Sequence, residues 1–339
     1  MKKKICLKSI FKLILILFII FLFLYLCFSE NGFVFFIKNT KGFSKSWLMM
    51  AFLCQIINLV VDMTLVYKFT NNITGCYKFK NAIRSSMIGQ FFSAITPSSS
   101  GGQPMQVLAM FGQGVDSGAS TSALVQKFLV YQNVLTAYSA ICILLRFDYF
   151  SRLNKVVWLF ATIGFFIQVV VIVALFFFSF NQNITYKMIR LIFTLLAKIR
   201  IIKKPEEKIR NYERQLIIFH RGNKDLYKNK YLVLETYVLT AIQLTAMFLI
   251  PYCIYRAFHF QGQPAIDMIC AQSFIMMSSS FFPIPGASGA TEIASAVFLN
   301  PFFNESTIKS AIALSRFITY YFTIMVSAPF SYSTKKEPK

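Results

Sequence analysis

The stretch ITPSSSGGQPMQV, at residues 95–107, is polar and broken by two prolines, yet long apolar runs lie on both sides of it. A second stretch, FFPIPGASGATEIA at residues 281–294, repeats this composition near the other end of the chain. Irregular backbone at membrane depth persists only where the protein or a water-filled cavity satisfies its hydrogen bonds. The two broken stretches therefore predict a polar cavity inside an otherwise apolar protein.

The overall composition is that of an integral membrane protein. Hydrophobic residues make up 56% of the chain and charged residues only 14%, whereas an ordinary soluble domain carries about 25% charged residues. The charged residues cluster, and the apolar runs between them reach the roughly 20 residues that a transmembrane helix needs. We therefore predict an all-α polytopic membrane protein with a single membrane domain over residues 1–339.

The apolar runs predict about six full spans and two shorter regions. Regions 82–112 and 265–300 each hold a pair of short apolar segments around one broken stretch. Segment 82–95 would form about 21 Å of helix, less than a hydrocarbon core of about 30 Å. Region 82–112 is therefore expected to dip in and return, whereas region 265–300 would be either re-entrant or a pair of short crossing helices. The full spans are expected at about residues 10–28, 47–67, 119–145, 156–180, 231–255 and 309–331.

The distribution of basic residues predicts the orientation. With the N-terminus inside, the predicted cytoplasmic segments hold 25 of the 35 Lys and Arg residues, and the predicted outside loops hold seven. Cytoplasmic loops are enriched in Lys and Arg, so both termini are expected in the cytoplasm. The two broken regions then enter from opposite sides. The predicted cytoplasmic segments are 1–12, 68–84, 181–230 and 332–339.

The formal net charge of +22 is explained by the basic residues beside the apolar spans and does not indicate nucleic-acid binding. Basic residues that flank apolar spans set orientation and contact anionic lipid. In residues 181–230, helically spaced apolar residues alternate with Lys and Arg, which predicts one or two amphipathic helices. Pro205 is expected to begin the second. This segment would be either a basic connector lying on anionic lipid or a docking site for a cytoplasmic partner.

The cysteines and histidines indicate no metal centre. The seven cysteines are scattered without a C-x-x-C pair, and the two histidines are far apart in sequence. This pattern favours neither a zinc site nor a disulfide framework, and most of the cysteines are expected to be small apolar packing residues. No cofactor is expected, and no Ser/His/Asp set or nucleotide-binding motif predicts catalytic residues.

The broken stretches supply the first candidate site residues. Helix N-termini carry exposed N–H groups that attract phosphate, and Pro104 suits the first turn of a helix after the first stretch. A lipid headgroup phosphate would fit such N–H groups; the alternative is that the glycines only allow close helix packing. The residues expected to offer these groups are Gly101, Gly102 and Gln103 in the first stretch, and Pro285, Gly286 and Gly289 before the helix that carries Glu292.

Ionisable side chains inside the spans are a second signal, because each is costly unless it is paired or wet. The deeply placed ones are Asp62, Lys127, Glu292 and Arg316. Glu292 and Arg316 are close enough in the predicted topology to form an ion pair. That pair is either structural, or Arg316 and Lys127 face a lipid phosphate while Glu292 balances charge or meets an amine of the headgroup.

Four stretches resemble the lysylphosphatidylglycerol synthase transmembrane family, which includes the flippase-like domain of the bacterial multiple peptide resistance factor and its stand-alone relatives. They are TPSSSGGQP, GASTSALVQK, PIPGASGATEIA and AIALSRFITYY, and the resemblance runs from the first span to the last. Gln103 stands where the family often has an acidic residue, and Lys127 where it often has arginine. By resemblance, the family's motif positions are Pro97, Gly101, Gly102, Pro285, Gly286, Gly289, Glu292 and Arg316.

The resemblance implies a protein that binds and translocates an anionic or aminoacylated phospholipid between leaflets. The class would be phosphatidylglycerol or lysylphosphatidylglycerol, and the benefit would be resistance to cationic antimicrobial peptides. Full-length relatives add a cytoplasmic domain that transfers lysine from tRNA to phosphatidylglycerol, and no soluble segment of that size is expected here. Phosphatidylglycerol lysyltransferase activity would thus rest on the family name or on a separate synthase chain; a non-transporting scaffold is a third alternative. The implied partners are a membrane phospholipid, a separate headgroup synthase and a second copy of the chain.

Overall fold

A computed structural model describes residues 42–97, 99–153, 155–198, 205–279 and 290–331. Within these ranges the chain forms helices and no strand. The predicted span 10–28 and the candidate residues Pro285, Gly286 and Gly289 lie outside the described residues. The helices are α1 (Lys45–Thr74), α2 (Phe79–Ile95), α3 (Gly102–Phe111), α4 (Ser117–Leu153), α5 (Lys155–Phe180), α6 (Gln182–Lys198), α7 (Pro205–Lys228), α8 (Lys230–Ala257), α9 (Ala265–Ser279), α10 (Ala290–Leu299), α11 (Glu305–Arg316) and α12 (Phe322–Ser331), with a π-helical turn at Phe317–Tyr321 between the last two.

Four of these segments are long and apolar enough to cross a membrane, and they match four predicted spans. The segments are Lys45–Thr74, Ser117–Arg146, Lys230–Ala257 and Thr307–Ser331. The predicted span 156–180 falls within α5, whose apolar part bends by 99° into the start of α6. The prediction of an all-α polytopic membrane protein is therefore confirmed.

Helices α1 and α8 form an antiparallel pair along which the rest of the domain is arranged. Near the Thr74 end of α1, Lys68 Nζ lies 2.7 Å from Glu235 Oε1. At the opposite end, the Ser44 N–H donates to the Ala257 carbonyl at 3.0 Å. Because Ser44 precedes α1 and Ala257 ends α8, the two helices run in opposite directions. We name the two sides of the domain the Thr74 end and the Lys45 end.

Helices α2 and α3 form the first hairpin, which returns to the Thr74 end. The Tyr77 hydroxyl donates to Gln113 Oε1 at 2.6 Å, and Gln113 Nε2 donates to the Asn81 carbonyl at 3.2 Å. These bonds join the start of α2 to the residues just after α3. Burial raises the pKa of the Tyr77 hydroxyl from its ordinary value of 10.0 to about 12. The dip and return expected of region 82–112 is the geometry found.

Gly102 allows the two helices of this hairpin to touch. A Cβ atom at this position would lie 1.8 Å from Ser93 Oγ and 2.9 Å from the Gly89 carbonyl oxygen. Any side chain would therefore push α3 away from α2. The interpretation that a glycine permits close helix packing holds for Gly102.

Helices α9 and α10 form the second hairpin, which enters from the Lys45 end. They pack together, with the rings of Phe274 and Phe298 5.8 Å apart. Phe303, just after α10, lies 5.7 Å from the Tyr255 ring near the end of α8. Asp267 at the start of α9 pairs with Arg146, where α4 leaves helical geometry. Both ends of the hairpin thus lie opposite the base of the first hairpin.

The chain therefore contains two units with the same order of elements and opposite orientation. In each unit a long span is followed by a hairpin at the end where that span finishes, and then by a span running back: α1 to α4, and α8 to α12. In chain order, the sequences PSSSG (97–101) and PGASG (285–289) each fall between the two helices of a hairpin. Inverted repeats of this kind, with discontinuous helices that meet near the midplane, are typical of transporters.

Helix α7 begins at Pro205 as predicted and docks against the first turns of α4. The Gly118 N–H donates to Gln215 Oε1 at 2.7 Å, and Ser122 Oγ donates to Asn223 Oδ1 at 3.0 Å. Small residues at i and i+4 on α4 let the two backbones approach closely. The second half of α7 is therefore a packed part of the membrane domain, in addition to the connector role expected from the sequence.

Candidate functional site

An ion pair between Glu292 and Arg316 joins the second hairpin to the last span. Arg316 Nε donates to Glu292 Oε1 at 2.7 Å. Glu292 lies in the first turn of α10, and Arg316 ends α11. The side chains are 34% and 14% exposed, respectively, so the pair borders an accessible space. The pairing inferred from the sequence is present in the structure.

Tyr320 extends this pair to the first hairpin. The guanidinium carbon of Arg316 lies 5.2 Å from the centroid of the Tyr320 ring, a cation–π geometry. The Tyr320 hydroxyl donates to the Ala94 carbonyl at 2.8 Å. Ala94 lies in the last turn of α2, directly before the first broken stretch. Arg316 and Tyr320 therefore connect the regions that flank both broken stretches.

The π-helical turn explains how one span makes both contacts. It covers Phe317–Tyr321 and widens the helix by one residue directly after Arg316. Such insertions within α-helices occur frequently at functional sites. The sequence carries no periodicity signal that separates this turn from the helix around it, which is why sequence reasoning missed Tyr320.

The first broken stretch folds into a turn that satisfies its own backbone groups. Thr96 Oγ1 accepts a hydrogen bond from the Gly101 N–H at 2.9 Å, and the Ser99 carbonyl accepts one from the Gly102 N–H at 3.3 Å. The prediction that these two N–H groups are free for a phosphate is therefore wrong. A threonine hydroxyl one residue after the helix competes for the same donors. Pro97 and Gln103 are exposed beside this turn.

Lys127 belongs to a second cluster, centred on Asp62. Lys127 Nζ lies 2.5 Å from Asp62 Oδ1, and Ser86 Oγ donates to Asp62 Oδ2 at 2.5 Å. The three residues come from α4, α1 and α2, and the Asp62 side chain is only 5% exposed. Both carboxylate oxygens thus have a partner. This arrangement gives Lys127 a buried acidic partner and does not bring it to the Glu292–Arg316 pair.

The two clusters occupy related places in the two units. In each unit a paired cation lies in the span that follows the hairpin: Lys127 is ten residues after the start of α4 at Ser117, and Arg316 is eleven residues after the start of α11 at Glu305. The acidic partners differ, because Asp62 comes from the span before the hairpin and Glu292 from the hairpin itself. The Asp62–Lys127 pair is therefore enclosed by residues of three helices, whereas the Glu292–Arg316 pair is more exposed.

A row of amide side chains continues across the domain from this region. Gln243 Nε2 donates to Asn58 Oδ1 at 3.0 Å, and Gln55 Nε2 donates to Thr323 Oγ1 at 2.7 Å. Gln55, Asn58 and Asp62 share one face of α1 because they stand at i, i+3 and i+7. Polar side chains within spans face the protein interior. The helical spacing of these polar residues indicates a buried polar face of α1, which charged side chains alone do not reveal.

Comparison with known proteins agrees with this architecture. The sequence matches the family described as lysylphosphatidylglycerol synthase TM region over residues 9–327. It is also 26% identical over 295 residues to a UPF0104 membrane protein of Archaeoglobus fulgidus, and the match covers 84% of this chain and 85% of that protein. The family match includes both hairpins, both ion pairs and nearly all of the last span. The chain therefore belongs to the lysylphosphatidylglycerol synthase TM region family.

Proposed function

We propose that this protein moves an anionic or aminoacylated phospholipid between the leaflets of a membrane. The observation that carries the proposal is the connection of two oppositely inserted hairpins through Glu292, Arg316 and Tyr320. A site at such a junction is reached from one side or the other when the units tilt relative to each other. The headgroup would occupy the junction while the acyl chains stay in the surrounding lipid.

The chemistry of the Glu292–Arg316 pair suits a phospholipid headgroup. A guanidinium binds phosphate oxygens through paired N–H donors. A carboxylate beside it accepts hydrogen bonds from an ammonium group, such as either of the two that a lysyl ester adds to phosphatidylglycerol. A headgroup with both charges would exchange the internal ion pair for two intermolecular ones. Glu292 and Arg316 would then each keep a partner of opposite charge during binding, which limits the desolvation cost.

The family and the charge distribution support our proposals for the substrate class, the membrane and the orientation. Phosphatidylglycerol and its lysyl derivative are the lipids we propose, with both termini in the cytoplasm of a bacterial cell. Placing a cationic lipid in the outer leaflet lowers the negative surface potential that attracts cationic peptides. The described residues form a membrane domain, and the activity that we propose for it is lipid movement; lysyl transfer by a separate synthase chain would supply the lysylated lipid.

Reconstitution tests this proposal. The purified chain would be inserted into vesicles that contain fluorescent phosphatidylglycerol, lysylphosphatidylglycerol or a zwitterionic phospholipid. An impermeant quencher then measures the labelled lipid that reaches the outer leaflet. We expect exchange above that of protein-free vesicles for the first two lipids. Exchange at the protein-free rate for every headgroup would contradict the proposal and favour a scaffold without transport activity.

A further inference from the structure

A small cleft at the Lys45 end lies between the start of α1 and the turn that follows α8. Its volume is about 70 Å³, roughly the space of two water molecules. The Lys45 end is the side predicted to face away from the cytoplasm. The cleft is separate from the Glu292–Arg316 pair, and none of the described residues that line it is acidic. These residues are Ser44, Trp47, Arg256, His259, Phe260 and Gln261.

Arg256 supplies the positive charge of this cleft, and two aromatic side chains hold its guanidinium in place. The guanidinium carbon lies 5.0 Å from the centroid of the Trp47 ring, and Arg256 Nη1 lies 3.5 Å from the Tyr252 hydroxyl. Within the described part of the chain Arg256 has no carboxylate partner, unlike Arg146 and Arg316. Because a guanidinium carries five N–H donors, most of them are left for a ligand.

His259 occupies a position where helices usually carry glycine. At the end of α8 the His259 N–H donates to the Arg256 carbonyl at 3.0 Å, and the Phe260 N–H donates to the Tyr255 carbonyl at 3.3 Å. In this Schellman arrangement the residue after the cap is left-handed and is most often glycine. His259 adopts a φ of 62°, a conformation that is unfavourable for a residue with a side chain. Such strain clusters at ligand-binding places.

The end of α1 provides a comparison within the same chain. There the left-handed residue is Gly75, with a φ of 72°, and its N–H donates to the Asn71 carbonyl at 2.7 Å. Helices α1 and α8 are the first spans of the two inverted units, so equivalent helix ends carry glycine in one unit and histidine in the other. The imidazole of His259 borders the cleft beside Arg256. A ligand in the cleft would account for a side chain at this position.

We propose that this cleft binds the phosphate group of an anionic phospholipid in the leaflet at the Lys45 end. Arg256 would bind two phosphate oxygens through paired N–H donors. The imidazole N–H of His259 and the hydroxyl of Ser44 would donate to the remaining oxygens. The bound phosphate would give Arg256 the opposite charge that the described residues do not supply.

The surroundings of the cleft favour a lipid over free phosphate. Trp47 and Tyr252 lie where α1 begins and α8 ends, and aromatic side chains of this kind mark the membrane interface. The surface of α1 just beyond Trp47 is apolar and exposed, with Met49 at 74% and Leu53 at 48%. Acyl chains would lie along this surface while the phosphate occupies the cleft, whose volume suits one small anionic group.

Quenching of Trp47 fluorescence tests the proposal. The chain has two tryptophans, so Trp158→Phe leaves Trp47 as the reporter. The purified full-length variant in detergent is titrated with phosphatidylglycerol or phosphatidylcholine whose brominated acyl chains quench a nearby indole. We expect half-maximal quenching at a phosphatidylglycerol concentration at least about tenfold below that of phosphatidylcholine, whose choline cation opposes binding beside Arg256.

Two further variants show whether Arg256 itself causes this preference. Arg256→Gln should abolish the difference between the two lipids. Lys45→Gln is the matched control, because it removes an exposed cation at the same end that does not line the cleft, and it should keep the difference. Retention of the preference by R256Q, or an equal loss in K45Q, would overturn the proposal.

His259→Gly separates ligand binding from a purely structural role of the turn. Glycine relieves the left-handed strain, so we expect the thermal midpoint to stay the same or rise while the preference for phosphatidylglycerol falls several-fold. An unchanged preference, or a lower midpoint, would overturn the role given to His259.

Inorganic phosphate, added to the same titration, distinguishes a lipid from a soluble anion. We expect millimolar phosphate to leave the quenching by brominated phosphatidylglycerol unchanged. Displacement of that lipid by phosphate, lost in R256Q, would identify a soluble anion as the ligand and overturn the lipid assignment. None of these binding measurements requires lipid exchange, so their failure and the failure of the proposed function are separate results.

Discussion

The hydroxyl of Tyr320 donates a 2.8 Å hydrogen bond to the carbonyl of Ala94, although the two residues are 226 positions apart in the sequence. Ala94 ends the first hairpin's rising helix, and Tyr320 lies one turn after Arg316 in the last span. This hydrogen bond joins the tip of the first hairpin to the span whose Arg316 pairs with Glu292 of the second hairpin. Through the contact of its ring with Arg316, Tyr320 therefore links the Glu292–Arg316 pair to the first hairpin.

Replacing Tyr320 by phenylalanine removes that bond and keeps the ring beside Arg316. We expect lipid exchange to fall several-fold and the folding stability in detergent to drop by about 1 kcal/mol, the usual net value of one hydrogen bond. Tyr237→Phe is the matched control, since Tyr237 accepts a 2.9 Å bond from Asn133 away from this junction. Equal exchange by the two variants would contradict a special role for Tyr320.

Asp62→Asn tests the closed ion pair in the first unit. The substitution leaves Lys127 in a largely buried position without a charged partner, which is expected to cost about 3–5 kcal/mol of unfolding free energy. The second substitution Lys127→Met should recover much of that loss. Asp225→Asn is the control, because Asp225 pairs with Lys228 on the surface and its side chain is 40% exposed. Thermal midpoints that fall equally for D62N and D225N would show that the pair is not buried as described.

Gly102→Ala tests the close contact within the first hairpin. The added methyl would meet Ser93 Oγ and the Gly89 carbonyl, so we expect a loss of about 1–3 kcal/mol of stability. Gly112→Ala, ten residues later, provides a matched substitution because its Cβ would have no neighbour closer than 3.6 Å. Denaturation curves of the two variants give the comparison. Similar stabilities would contradict the close approach of α2 and α3 at Gly102.

The energetic cost of burying charged and polar side chains explains which features could be predicted from the sequence. Four spans were predictable because long uninterrupted apolar runs are typical of transmembrane helices. Glu292 and Arg316 were predicted to pair because charged side chains inside spans need partners. The pairing of Asp62 with Lys127 was missed, since these residues lie on separate spans and composition says nothing of helix register. Gln55 and Asn58 were missed because uncharged amides are less costly to bury and stand out less among apolar residues.

The turn at the first broken stretch shows a different limit. Gly101 and Gly102 precede a helix, and this position favours phosphate binding in general. The local competition from Thr96 Oγ1 and the Ser99 carbonyl becomes visible only once the turn geometry is known. Similarly, the apolar face of α7 was readable from its spacing, but its contact with Gly118 and Ser122 depends on tertiary packing.

Lipid exchange by an Arg316→Ala variant tests the central claim most directly. The control is Lys228→Ala, which removes a cation from an exposed surface pair, and both variants must first show the same helical content as the unmodified chain. If Arg316 binds the headgroup, R316A should exchange labelled phosphatidylglycerol at least about tenfold more slowly, as expected for the loss of a charge-assisted hydrogen bond, while K228A keeps the original rate. A folded R316A variant that exchanges lipid as fast as K228A would contradict the account.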